Sequence, residues 1–78
     1  MLIEVRSELA AFVWQVKVAV GQPVEAGDVI AVLESMKIEI PVEAPSGGVV
    51  SELRVEPDAQ VEEDQVIAVI DDGKGGSP

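Results

Sequence analysis

This chain is written twice. Displaced by 37 positions, Val13 to Glu34 falls on Val50 to Asp71, and 8 of the 22 pairs are identical: Val13/Val50, Val18/Val55, Val24/Val61, Glu25/Glu62, Val29/Val66, Ile30/Ile67, Ala31/Ala68 and Val32/Val69. Val16/Leu53, Lys17/Arg54, Leu33/Ile70 and Glu34/Asp71 are conservative, and the register extends upstream through Ile3/Ile40 and Val5/Val42. Valine matches valine easily in a valine-rich chain, but the two Val-Ile-Ala-Val runs and the shared charges do not arise that way. Two copies are too few for a solenoid, whose units bury a continuous core only from about three upwards. The chain therefore reads as one domain of two similar halves. The segment that joins them, Glu34-Ser35-Met36-Lys37-Ile38-Glu39, is singled out by the symmetry.

Each half reads as strands. From Phe12 to Val20 the even positions Phe12, Trp14, Val16, Val18 and Val20 are apolar while Gln15 and Lys17 interrupt them, the alternation of a half-buried strand. The second half predicts Val49, Leu53 and Val55 inside, with Glu52, Arg54 and Glu56 outside. Trp14 then corresponds to Ser51, a large residue matched by a small one as packing across an approximate two-fold requires. Gly21-Gln22-Pro23 and Glu56-Pro57-Asp58 form one pair of turns, and Ala26-Gly27-Asp28 and Glu63-Asp64-Gln65 another. Apolar residues nowhere recur at helical spacing over three turns, and β-branched residues dominate. The expectation is all β, about four strands per half, in two layers sharing a core. Residues 1–72 make the domain, and residues 73–78, rich in glycine, a flexible tail.

Composition narrows the function. A chain of 78 residues buries only a little more than about 60% of its unfolded surface, so the core must be compact. With no cysteine or histidine it has neither disulfides nor the common zinc ligands, and it suits a reducing cytoplasm. Neither a secretory signal nor a run of apolar residues long enough to span a bilayer is present. A net charge of −10 repels nucleic-acid phosphate and anionic membranes. Glu62-Glu63-Asp64 and Asp71-Asp72 read as solvated surface. Without His, Cys or Tyr, acid–base catalysis would rest on carboxylates, and nothing gathers two of them in an apolar pocket. An enzyme is the weaker class, against a carrier or a barrel used only for protein contacts.

Between the predicted strands Val29–Ser35 and Ile38–Val42, Met36-Lys37 is left as a two-residue hairpin loop. Such loops adopt primed turns with positive φ, normally supplied by Asn-Gly or Asp-Gly. Methionine and lysine there cost on the order of 1–3 kcal/mol each, a cost tolerated where a side chain must stand clear of the surface. Taken alone, the pair also fits an ordinary turn with an ordinary lysine.

The run Leu33-Glu34-Ser35-Met36-Lys37-Ile38-Glu39-Ile40-Pro41-Val42, followed by Ala44-Pro45-Ser46-Gly47-Gly48-Val49-Val50, resembles the biotinyl/lipoyl attachment domain family. It is most similar to small free-standing biotin/lipoyl attachment proteins and to biotin carboxyl carrier domains, over about Ile3 to Asp71. The resemblance implies a flattened β-barrel of two four-stranded antiparallel sheets with quasi-two-fold symmetry. The modified lysine stands at one hairpin tip and both termini at the far end. It also implies biotin attached covalently to Lys37 by a biotin protein ligase, CO2 carried as carboxybiotin between a biotin carboxylase and a carboxyltransferase, and a soluble, monomeric, cytoplasmic carrier. Met36-Lys37 matches the biotinyl pattern, whereas lipoyl domains carry Asp-Lys-Ala, so lipoate is the alternative. Ile38 is the departure, standing where the commonest biotinyl motif has a second methionine. Met36 and Ile38 are the residues a ligase would grip, with Glu34 and Ser35 beside them. Lys17 reads as strand-face charge and Lys74 as part of the tail. The resemblance also implies that the ligase presents biotinyl-adenylate and helps to deprotonate the amine.

Overall fold

The computed structural model describes residues 1–74, and in them the chain forms eight strands and no helix. They are β1 (Leu2–Arg6), β2 (Ala11–Val16), β3 (Pro23–Val24), β4 (Val29–Ser35), β5 (Ile38–Glu43), β6 (Gly48–Leu53), β7 (Gln60–Val61) and β8 (Val66–Asp71). Two antiparallel four-stranded sheets result, ordered β1-β8-β6-β3 and β5-β4-β2-β7. Exchanging each strand of the first half for its counterpart in the second turns one order into the other, so the sequence repeat is a two-fold relation between the sheets. The predicted barrel does not close. The edge strands β1 and β5 are not paired with each other, and a groove lined by Glu4, Arg6, Ile40, Val42 and Glu43 runs between them. The fold is a flattened sandwich.

The symmetry reaches the loops. Gly21 N–H donates to the Val50 carbonyl at 2.8 Å and Asp58 N–H to the Val13 carbonyl at 2.8 Å; Gly27 N–H donates to Ala44 at 2.9 Å and Asp64 N–H to Ser7 at 2.8 Å. Each of these donors has positive φ, so Gly21 pairs with Asp58 and Gly27 with Asp64 in a left-handed turn that glycine enters freely and aspartate tolerates.

Four of the eight identical pairs lie in the interior. Val13/Val50, Val24/Val61, Ile30/Ile67 and Ala31/Ala68 are all buried in one cluster with Val5, Leu33 and Ile70. Phe12 and Trp14 are not. The alternation had placed them inside, but Ala11 and Val13 face the core, and Phe12 and Trp14 are 56% and 47% exposed. A bulge between Val13 and Gln15 explains this. The extra residue, Trp14, shifts the phase, so that Val16 and Val18 turn inward as expected although Phe12 does not. Val20 is exposed as well. The same bulge recurs between Val50 and Glu52, leaving Val49 exposed and Leu53 and Val55 against the core. Trp14 and Ser51 therefore do not pack as large against small; both are the outward residues of equivalent bulges.

Ala11 and its counterpart Gly48 differ for a reason. A Cβ on Gly48 would come within 2.3 Å of the Asp71 carbonyl oxygen and 2.8 Å of Ile70 Cγ2, so β6 approaches β8 more closely than a side chain allows. Asp72 is not simply solvated: its Oδ1 accepts from the N-terminal ammonium at 3.0 Å and from the Lys74 backbone N–H at 2.8 Å. Residues 75–78, the greater part of the expected tail, lie outside the described residues.

Candidate functional site

Lys37 stands where the repeat placed it. β4 and β5 pair through Glu34↔Glu39 and Ser35↔Ile38, leaving Met36-Lys37 as the loop. Met36 has φ 52° and Lys37 φ 68°, both left-handed, as a type I′ hairpin requires. Its twist matches that of the flanking strands, so the hairpin gains good pairing at the expense of two strained non-glycine residues. Under the repeat Met36 corresponds to Gly73, whose φ of 75° repeats the conformation with the residue that suits it. Lys37 corresponds to Lys74, which no hairpin presents.

The turn raises its side chains into water. Met36 is 91% and Ile38 64% exposed, Lys37 and Glu34 are exposed, and Ser35 is half-buried. Among the described residues no ion pair engages Lys37, and neither the groove between β1 and β5 nor the one lined by Leu53, Arg54 and Ala59 includes it. Glu34 and Glu39 face each other directly across the hairpin, and like charges so placed repel. The segment predicted from sequence is thus brought together as one exposed tip, with Lys17 on the body of the domain and exposed.

The tip is remote from the termini. Phe12 lies opposite Glu34, so β2 begins at the lysine end of its sheet. Only residues 7–10 separate that point from Arg6, at one end of β1, while Leu2 at the other end pairs with Asp71. Met1 and Asp72 therefore occupy the opposite end of the sandwich. The alternation concealed two residues of the lysine-bearing sheet, Phe12 and Trp14. The signal that could have exposed them is divergence: Val13/Val50 is identical, whereas Phe12/Val49 and Trp14/Ser51 on either side are not.

Chemically, the tip offers one primary amine on a rigid support. Among the described residues there is no group of three or more metal-binding side chains. Such an amine can form a covalent bond to a prosthetic group.

Comparison with known proteins agrees. The family model described as biotin-requiring enzyme matches residues 2–70. The chain is 43% identical over 70 residues to a biotinylated protein TB7.3 homolog of Mycobacterium leprae, covering 90% of this chain and 99% of that protein. It is 38% identical over 60 residues to a biotin/lipoyl attachment protein of Bacillus subtilis, covering 77% of this chain and 82% of the relative. Among solved structures, the urea carboxylase of Kluyveromyces lactis superposes with a TM-score of 0.85 at 34% identity, over 90% of this chain and 6% of that one. The chain is thus similar to one small part of a large carboxylase and to nearly the whole of a small biotinylated protein. Because the family match spans both halves of the repeat and not just the hairpin, the chain as a whole belongs to the biotin/lipoyl attachment domain family, and it is a carrier domain, not a catalyst.

Proposed function

We propose that Lys37 is the attachment point for biotin, installed by a separate biotin protein ligase. The observation that carries this reading is the Met36-Lys37 turn, in which two left-handed non-glycine residues hold an unpaired amine clear of the domain. In ligation the Lys37 nitrogen attacks the acyl carbon of biotinyl-adenylate, the amide C–N bond forms, AMP leaves, and the amine proton passes to a base of the ligase. When bound, biotin supplies reversible carriage of CO2. The chain supplies the rest: a rigid sheet end that keeps the arm in water, and a body small enough to visit a biotin carboxylase and a carboxyltransferase in turn. Weak, quickly exchanged contacts suit such visits, as does a monomer. The likeness to an acyl-coenzyme A carboxylase alpha3 subunit of Mycobacterium leprae, 39% identical over 66 residues and 11% of that subunit, supports carboxylase partners. We place the carrier in the cytoplasm, and no helix among the described residues is long and apolar enough to cross a membrane.

Intact mass spectrometry after co-expression with a biotin protein ligase tests the assignment. One biotin adduct is expected. Modification by a lipoate ligase alone would transfer the site to lipoate, and an unmodified chain in both experiments would leave only the protein-contact reading.

A further inference from the structure

The chain has two aromatic residues, Phe12 and Trp14, and neither is in the core. Both lie on the outer face of the sheet that bears Lys37. Opposite Phe12 in register stand Glu34 on one side and Gln60 on the other, with Glu39 beyond Glu34, so one row across the sheet reads Glu39, Glu34, Phe12, Gln60. Besides Lys17, one residue past β2, and Lys37 at the tip, this sheet carries three glutamates in its strands, Glu34, Glu39 and Glu43. None of the three is ion-paired among the described residues.

The other sheet is finished differently. Arg6 pairs with Glu4 and Arg54 with Glu52. Val69, between Glu4 and Glu52 in register, stands outside the core cluster yet is only 3% exposed. Long paired side chains lying along the sheet cover apolar surface in this way. At the positions equivalent to Phe12 and Trp14 this sheet has Val49 and Ser51. The aromatic face with unpaired glutamates is therefore a property of the lysine-bearing sheet and not of the fold.

We propose that this face is where the ligase docks, through an apolar patch bordered by arginine or lysine. The proposal rests on the reading that Lys37 is biotinylated. Two arguments select this occupant. The charges are complementary to a basic rim, because none of the carboxylates of Glu34, Glu39 and Glu43 is ion-paired among the described residues. Position gives the second argument. Phe12 is level with Glu34, three residues from Lys37, or about 10 Å at the rise of a strand. A protein–protein interface covers about 800 Å² of each partner, a disc of about 16 Å radius, so an interface centred on the bare Lys37 amine and laid along this sheet also covers Phe12. After acylation the reacting end stands at the tip of a long arm, and later enzymes reach it without that contact. Aromatic side chains at the centre of an interface and charges at its rim are the usual division between affinity and steering.

Steady-state biotinylation with purified ligase tests this. Phe12→Ser and Trp14→Ser should each raise KM for the carrier roughly tenfold, the effect of an interface hot spot, with kcat unchanged because the amine and its turn are untouched. Val49→Ser, the equivalent change on the other sheet, should leave both constants unchanged. KM within twofold of wild type for both aromatic variants, or a fall in kcat alone, overturns the docking face. A wild-type chain that accepts no biotin overturns instead the reading beneath it. An unaltered surface gives an independent measurement, since the single tryptophan can be replaced biosynthetically by 5-fluorotryptophan. Its one fluorine resonance should shift or broaden on adding unlabelled ligase. A resonance that ignores the ligase, that responds only to a biotin carboxylase, or that moves with carrier concentration alone through self-association, overturns the proposal.

Discussion

Glu4 and Glu52 on one sheet are each paired with an arginine, whereas Glu34 and Glu39 on the other face each other with no cation between them. The two sheets have the same strand order, the same bulges and the same loop hydrogen bonds. Their difference lies in what is mounted on the frame. One sheet neutralises its outer face and carries the termini; the other leaves its face apolar and acidic and carries Lys37. Duplication supplies two equivalent supports, and side chains that make no contribution to the core decide which of them acts.

The sharpest way to break the comparison is at the two equivalent lysines. Lys37→Arg should abolish biotin incorporation entirely and Lys74→Arg should leave it unchanged, read as intact mass after incubation with ligase, biotin and ATP. A next, structural asymmetry is Gly48 against Ala11. Gly48→Ala drives a Cβ into the Asp71 carbonyl and should destabilise by about 1–3 kcal/mol. Ala11→Gly, its mirror, should cost about 1 kcal/mol or less; urea denaturation measures both.

The hairpin tip can be made to resemble its relaxed counterpart. Met36→Asn places a residue suited to the first position of a type I′ turn at φ 52°. It should stabilise the fold by about 1 kcal/mol while lowering the ligation rate, as thermal melts and kinetics of the same preparation would show. A faster ligation rate would mean that Met36 is no recognition element. The smallest effect lies at the opposite end. The Lys74 backbone N–H and then the N-terminal ammonium hold the Asp72 carboxyl below the usual carboxylate range. A depressed folded-state value contributes stability above the unfolded value that is lost as pH falls through the lowered one. Asp72→Asn should therefore lower the melting temperature slightly at neutral pH, with the difference vanishing in strong acid, and leave biotinylation unaffected.

Much of this was legible in the residues. The repeat located both Val-Ile-Ala-Val strands, the four turns and the hairpin, because buried positions and left-handed turns constrain each half equally. Val13/Val50 and Ile30/Ile67 match since both copies fill one core. The phase of β2 and β6 was not legible. A period-two pattern assumes an unbroken pleat, and a bulge adds a residue without altering composition, so Phe12 and Trp14 counted as interior. Nor could the sequence show that Asp72, 71 positions from Met1, accepts a hydrogen bond from the N-terminus.

By itself, then, the sequence determined the all-β class, the two-fold organisation and the place of Lys37, since these follow from local periodicity, turn chemistry and self-comparison along one chain. Tertiary structure decided which face each residue presents, that the sandwich stays open between β1 and β5, and that among the described residues ion pairs seal one sheet and not the other. Those outcomes depend on register between strands far apart in sequence, where a single extra residue redirects the side chains around it.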